Sequence, residues 1–217
     1  MTPSTRDTEK AHLRASLRTA RAALDPADRQ DQSRALAGAV VEHLRSLPSA
    51  PSGTPRHGPT VAVYLGVDPE PDTAPLLQEL HDLGFGVVVP ICEPEYQLSW
   101  ASWFPGVPLQ RSVRAPVLEP TGKRFSFDEV PDVAVILVPA LGVDGSGHRV
   151  GQGGGYYDRF LARYPLGAPG AVPRMGVVYR SEVLPAGTIP SEPYDQPLGG
   201  VFTPDGLLRF GTAGSSV

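Results

Sequence analysis

The sequence has little cysteine, few aromatic residues and no long hydrophobic run. A single cysteine, Cys92, in 217 residues excludes an internal disulfide framework and a zinc cluster built on several cysteines. The longest nearly apolar run, residues 133–143, is too short to span a bilayer, and the polar N-terminus does not resemble a signal peptide. The formal net charge of −4 argues against a general nucleic-acid-binding protein. We therefore expect a cytoplasmic globular protein with neither a nucleic-acid nor a membrane partner.

The length and the distribution of glycine and proline predict one domain over residues 1–217, large enough to fold without a disulfide or metal. The 24 glycines and 25 prolines are numerous, but they fall short of low complexity. Residues 48–59 are a Pro/Ser/Gly connector, which we interpret as a loop because the helices before it need a surface to pack against. We expect residues 211–217 to be a frayed tail and the protein to be a monomer rather than a stable oligomer.

Hydrophobic periodicity predicts two helices followed by strands that alternate with further helices. The first helix has an apolar stripe at helical spacing, formed by Leu13, Leu17, Ala20 and Leu24. The Asp25–Pro26 pair is typical of the start of the second helix. Strands are expected at 60–65, 86–91 (with Pro90 marking its end), 98–104, 133–138 and 175–179, with a short edge strand at 200–203, and helices at 73–83 and 155–164. This order predicts an α/β fold with a mostly parallel central sheet, helices on both faces in a three-layer, Rossmann-like arrangement, and an N-terminal helical pair.

A glycine-rich stretch, residues 138–160, is the most informative part of the sequence. It follows the most apolar strand and leads into a helix. Ligands of open α/β sheets bind at the carboxyl ends of strands, and glycine lets backbone N–H groups approach an anion. We therefore predict a phosphate site here rather than a merely flexible loop. The stretch lacks the lysine of a P-loop, and Tyr156 occupies the last glycine position of the dinucleotide pattern G-x-G-x-x-G, so neither common nucleotide fingerprint applies.

The first helix also carries a basic face, formed by Lys10, Arg14, Arg18 and Arg21, which lie within about 80° of one another on a helical wheel. Such a face is either solvated or, beside a buried seam, able to clamp a polyphosphate. Both interpretations stay open on the residues alone.

Three carboxylates stand near the predicted site. Asp158 lies in the first turn after the glycines, where it would repel a phosphate unless a cation intervened, and Asp195 follows a strand and could be a second Mg²⁺ ligand. Asp158 equally suits the N-terminus of its own helix, and Asp195 equally suits a turn. Glu70 follows a strand end, where it either binds the polar head of a ligand or is ordinary loop acidity.

At these residues the chain resembles the 5-formyltetrahydrofolate cyclo-ligase family, also called 5,10-methenyltetrahydrofolate synthetases. The family's Lys-x-x-Leu-Arg helix corresponds to residues 10–14, its strand and acidic loop to residues 64–73, and its Gly-Tyr-Tyr-Asp loop to residues 147–158. A Pro-x-Glu-x-His-Asp segment corresponds to residues 190–195. The chain departs from the pattern at Val150, where leucine is usual, at Gln152, where arginine is frequent, and at Tyr194, where histidine is common.

The resemblance implies an ATP- and Mg²⁺-dependent ring closure of 5-formyltetrahydrofolate to 5,10-methenyltetrahydrofolate, with ADP and phosphate as the other products. In the family's mechanism the formyl oxygen attacks the γ-phosphate, and N10 of the folate then displaces phosphate from the resulting imidate phosphate. The protein supplies no covalent nucleophile. Its work is positioning and neutralisation of charge.

The resemblance also implies a role for each matching position. ATP binding falls to Lys10, Arg14, Arg149, Val150, Gly151, Gln152, Gly153, Gly154, Gly155, Tyr156 and Tyr157. Folate binding falls to Leu65, Glu70, Gln152, Gly153, Gly154, Gly155 and Tyr156. Arg149 and Tyr156 are the catalytic candidates, and Asp158 and Asp195 the Mg²⁺ ligands.

Two other hypotheses stay open at this point. The first is a phosphotransferase or sugar-phosphate enzyme on a related α/β scaffold, because a fold does not fix a function. The second is a non-catalytic, anion-binding regulatory module that uses the basic helix for a partner.

Overall fold

The computed structural model of the chain describes residues 5–47 and 58–211. Most of the predicted connector at 48–59 and of the predicted tail at 211–217 therefore lies outside the described residues. Within them the helices are α1 (Thr5–Ala22), α2 (Pro26–Ser46), α3 (Ala74–Asp82) and α4 (Tyr156–Ala162). The strands are β1 (Thr60–Ala62), β2 (Gly86–Cys92), β3 (Leu98–Ser102), β4 (Leu109–Arg111), β5 (Leu118–Pro120), β6 (Val133–Pro139), β7 (Gly142–Asp144), β8 (Arg149–Val150), β9 (Arg174–Val177), β10 (Val183–Leu184), β11 (Gly200–Thr203) and β12 (Gly206–Arg209).

A seven-stranded sheet forms the centre of the fold, in the order β12-β11-β9-β6-β1-β2-β3. Its five inner strands pair in parallel, and the antiparallel strands β3 and β12 lie at the two edges. The predicted mostly parallel sheet is confirmed. Because parallel strands end at the same edge, the loops that follow β1, β6 and β9 gather at one side of the molecule.

Hydrophobic clusters cover both faces of this sheet. On one face α2 and α3 pack side chains such as Val40 and Leu77 onto the strands. On the other face Phe160 of α4 packs against Trp100 and Phe127, with ring centroids 5.2 and 4.9 Å apart. The predicted three-layer arrangement is therefore confirmed, and Trp100 is a fully buried core residue.

The N-terminal helical pair is also confirmed, but its members pack on different surfaces. Asp25 caps α2 as predicted, because its carboxylate accepts hydrogen bonds from the N–H groups of Ala27 and Asp28. Helix α1 packs instead beside the small sheet of β10, β7 and β8, where Leu17 contacts the cluster of Leu141, Val150 and Ile189.

The prediction of the apolar stripe on α1 is wrong at one residue. Ala20 is exposed, and Arg21 is buried in line with Leu17, one helical turn earlier. A basic residue can occupy this position because Glu182 neutralises its charge.

Two strand predictions also need correction. Pro90 does not end β2, which continues to Cys92. Pro90 lies opposite Trp100 of β3, but the backbone N–H and carbonyl of Trp100 bond to Phe125. The missing N–H of the proline therefore breaks no hydrogen bond to β3. The strand at 200–203 is not an edge strand, because β12 folds back on it as the outer member of a hairpin. The short strands β4, β5, β7, β8, β10 and β12 were not predicted.

Candidate active site

The glycine loop lies at the carboxyl edge of the sheet, between β8 and α4. Its backbone uses conformations that favour glycine, with φ of 106° at Gly153 and 73° at Gly155, which caps α4. Residues 152–154 are exposed. The loop therefore leaves its backbone open at the surface, at the place where the glycine pattern predicts a phosphate site.

The basic face of α1 meets this loop. Arg14 Nε donates to the carbonyl of Gly151 at 3.1 Å, and Arg18 Nη2 donates to the carbonyl of Gln152 at 2.8 Å. Lys10 is only 4% exposed and pairs with Asp195. Three of the four basic residues thus lie at the predicted site, which favours the clamp over the solvated face.

The fourth basic residue has another partner. Arg21 reaches Glu182 with two nitrogens, at 2.5 and 2.7 Å, and donates to the carbonyl of Ala140 at 2.6 Å. It anchors the C-terminal end of α1 to the residue that follows β6 and to the segment before β10. Arg21 supports the helix and does not face the glycine loop.

The structure brings the two aspartates of the predicted metal site together. Arg149 Nη2 lies 2.7 Å from Asp158 Oδ1, and the same oxygen accepts the backbone N–H of Gln196 at 3.1 Å. Asp195 Oδ2 accepts from Lys10 and from the backbone N–H of Glu192. Asp158 therefore contacts the residue next to Asp195.

Each aspartate keeps one oxygen for a further ligand. Among the residues described, Asp158 Oδ2 and Asp195 Oδ1 have no hydrogen-bond partner. Across residues 5–47 and 58–211, however, no group of three or more His, Cys, Asp or Glu side chains is arranged to hold a metal ion.

Glu70 also lies at the loop. Its Oε1 accepts from the side-chain nitrogen of Gln152 at 2.8 Å, and its Oε2 accepts from the backbone N–H of Val67 at 3.2 Å. Leu65, half-buried, packs against the core beneath this segment. The acidic loop after β1 and the glycine loop therefore form adjoining walls of one site.

Tyr156 and Tyr157 begin α4 with different surroundings. The Tyr156 ring is half-buried and meets the ring of Tyr96 edge-on, with centroids 5.4 Å apart. The Tyr157 hydroxyl is buried, and neither it nor Arg149 Nε has a hydrogen-bond partner within the described parts of the chain. Burial raises the pKa of both tyrosines, so each remains a neutral hydrogen-bond donor at physiological pH.

Sequence reasoning missed several residues that lie around the start of α4. Tyr96 is 51% exposed and lies under the guanidinium of Arg159, 4.9 Å from its ring centroid. Cys92 ends β2 below Tyr156, and its backbone N–H donates to the buried carboxylate of Glu119 at 2.7 Å. Burial raises the pKa of the Cys92 thiol to about 12. No spacing in the sequence connects these residues, because each comes from a separate segment.

The comparison with known families decides among the three hypotheses. The model of the 5-formyltetrahydrofolate cyclo-ligase family matches residues 6–204. The chain belongs to this family. Members of this family are ligases, so this finding favours the cyclo-ligase hypothesis over a phosphotransferase or sugar-phosphate enzyme and over a regulatory module.

Individual relatives agree with this assignment. A 5-formyltetrahydrofolate cyclo-ligase of Mycolicibacterium smegmatis is 32% identical over 200 residues, which are 90% of this chain and 93% of that protein. One from Escherichia coli is 29% identical over 153 residues, or 70% of this chain and 81% of the relative. The structure resembles the NMR structure of 5,10-methenyltetrahydrofolate synthetase from Aquifex aeolicus, with a TM-score of 0.70 and 26% identity over 96% of both chains. None of the helices in the described parts of the chain is long and apolar enough to cross a membrane.

Proposed function

We propose that this cyclo-ligase converts 5-formyltetrahydrofolate and ATP to 5,10-methenyltetrahydrofolate, ADP and phosphate. The observation that carries the proposal is the meeting of three separate segments at one edge of the sheet, in a member of this family. The basic face of α1, the glycine loop and the loop of Asp195 are joined there by direct hydrogen bonds. This combination suits a polyphosphate that binds beside a pocket containing a carboxylate.

The triphosphate of ATP would lie between α1 and the glycine loop. Backbone N–H groups of residues 150–157 would face its oxygens, and Lys10 and Arg14 would supply positive charge. Arg149 would add a third cation from below the loop. Its Nε and the Tyr157 hydroxyl are buried polar atoms that a bound nucleotide could satisfy.

We propose that Asp158 and Asp195 would hold Mg²⁺ together with phosphate oxygens. Asp158 and Asp195 lie close together, and the unbonded oxygen on each gives the one or two carboxylates that Mg²⁺ commonly takes in addition to phosphate oxygens and water. When bound there, the ion would offset the negative charge of the phosphates. Arg149 and Lys10 hold the other oxygens of the aspartates and so fix the orientation of both side chains.

The folate would bind on the side of β1 and β2. Glu70 would accept hydrogen bonds from N–H groups of the pterin, Leu65 would contact the ring, and Tyr156 would border the formyl group where both substrates meet. The formyl oxygen forms a bond to the γ-phosphorus as the bond to ADP breaks. N10 then attacks the activated carbon, loses its proton, and phosphate leaves with the former formyl oxygen. The protein's contribution is orientation and charge neutralisation, for which no covalent nucleophile is needed.

We also infer that the protein acts as a monomer in the cytoplasm. With a single cysteine, Cys92, the chain depends on no internal disulfide, which suits a reducing compartment. Size-exclusion chromatography with light scattering would test the first part, and cell fractionation the second.

The activity can be followed by the absorbance of the methenyl product. We expect purified protein to form it from 5-formyltetrahydrofolate only when ATP and Mg²⁺ are both present. Asp158→Asn should reduce the rate at least about tenfold, because a preorganised charged group contributes several kcal/mol to such steps. Asp82→Asn is a matched control, since Asp82 lies on α3 and, within the described residues, bonds only to exposed Gln78. A folded protein without product formation, or equal rates in the two variants, would reject the proposal.

A further inference from the structure

A chain of hydrogen bonds crosses the glycine loop from the basic helix to the acidic loop. Arg18 Nε and Nη2 donate to the side-chain oxygen of Gln152 at 3.2 and 3.1 Å, and Nη2 also reaches the Gln152 carbonyl. The side-chain nitrogen of Gln152 donates in turn to Glu70 Oε1 at 2.8 Å. Gln152 thus links the helix assigned to the nucleotide with the carboxylate assigned to the folate.

Glutamine is the residue type that this link requires. An amide side chain carries one acceptor oxygen and one donor nitrogen, so it can accept from a guanidinium and donate to a carboxylate at the same time. An arginine at position 152 would have donors only and would repel Arg18. The link is therefore a consequence of the glutamine at this position.

Both substrates compete with the link. A pterin that donates an N–H group to Glu70 Oε1 competes with the side-chain nitrogen of Gln152 for that oxygen. The phosphates of a nucleotide attract the guanidinium of Arg18 and so weaken its hydrogen bonds to the Gln152 side chain. Because one side-chain amide makes both contacts, moving it away from either Glu70 or Arg18 breaks the link as a whole, whichever ligand arrives first.

We propose that Gln152 couples the two substrate sites. The first ligand breaks the link between Arg18 and Glu70, and the second binds without that cost, so each substrate tightens the binding of the other. This inference rests on the proposed function, because it takes Glu70 as the folate ligand and α1 as the nucleotide ligand.

Calorimetry tests the coupling directly. The dissociation constant of 5-formyltetrahydrofolate is measured with and without Mg²⁺ and a non-hydrolysable ATP analogue, so that no turnover occurs. In the unaltered protein we expect the nucleotide to tighten folate binding about two- to tenfold, the size of one net hydrogen bond. In Gln152→Ala we expect tighter folate binding without nucleotide, by the same factor, and a ratio of the two constants close to 1.

Gln78→Ala is the matched control. It removes another exposed glutamine that bonds a carboxylate, Asp82 at 2.9 Å, far from the loop, and it should leave the ratio unchanged. A ratio that Gln152→Ala does not alter, or folate binding that it weakens in both states, would overturn the inference and leave the proposed function intact. A ratio of 1 in the unaltered protein would overturn it as well. If the unaltered protein bound no folate, the proposed function would fail and this inference with it.

Discussion

The buried ion pair between Arg21 and Glu182 gives a stability prediction that can be worked out from the structure. Each residue is only 2% exposed, and two guanidinium nitrogens lie 2.5 and 2.7 Å from the carboxylate oxygens. Glu182 Oε2 also accepts the backbone N–H of Tyr179 at 2.9 Å. Glu182→Gln keeps the shape of the side chain but leaves the Arg21 charge buried without a counter-charge.

The expected loss is large. Breaking a buried ion pair from one side costs about 3–5 kcal/mol, against a total free energy of unfolding of about 5–15 kcal/mol for a domain. A chain of this size loses about 2–4 °C of Tm per kcal/mol, so Glu182→Gln should lower the Tm by about 6–20 °C.

Thermal unfolding of four variants provides the assay. Glu182→Gln and Arg21→Met should each be strongly destabilised, and the double variant Arg21→Met/Glu182→Gln should be more stable than either, because no lone charge stays buried. Arg34→Met is the control, since it breaks an exposed pair with Asp31 and should cost less than about 1 kcal/mol. The reasoning would be refuted by a Glu182→Gln shift as small as that of the control, or by additive losses in the double variant.

Three further predictions concern the site. Gly153→Ala should weaken ATP binding about 5- to 30-fold, because the φ of 106° costs a side chain about 1–2 kcal/mol. Gly38→Ala is the control, since Gly38 lies on α2 with open space around it, and it should not weaken ATP binding. Equal dissociation constants for ATP in the two variants, measured by isothermal titration, would contradict the loop assignment. Because burial disfavours the thiolate, Cys92 should react with iodoacetamide at pH 8 at least about 100-fold more slowly than free cysteine. Its reaction rate should keep rising with pH towards the pKa of about 12. A rate that levels off near pH 9 would be inconsistent with this. Lys10→Met should raise the KM for ATP about tenfold or more while changing the KM for folate little, since it removes a buried cation from the phosphate side. In steady-state kinetics, a larger change in the KM for folate than in the KM for ATP would reject this role of Lys10.

The sequence is most informative where the signal is local. The continuous apolar run of β6 and the glycines after it predict both a central strand and a ligand loop, because strand burial and backbone conformation depend on neighbouring residues. Asp25 and Pro26 mark the start of α2 for the same reason, as the capping hydrogen bonds stay within one turn.

Contacts between distant segments could not be predicted in this way. Arg21 and Glu182 are 161 positions apart, and Gln152 and Glu70 are 82 apart, so no spacing rule connects either pair. The exposed Ala20 shows the effect on a helix face: a distant carboxylate decides that Arg21 is buried instead. The family resemblance supplies the list of site residues, whereas the link through Gln152 emerges only from the folded arrangement.

A structure with Mg²⁺ and a non-hydrolysable ATP analogue bound would test the central claim most directly. The account predicts the terminal phosphate within hydrogen-bond distance of backbone N–H groups of residues 151–155 and of Lys10, with the ion in contact with Asp158 and Asp195. A nucleotide seated elsewhere, with the glycine loop and both aspartates clear of its phosphates, would contradict it.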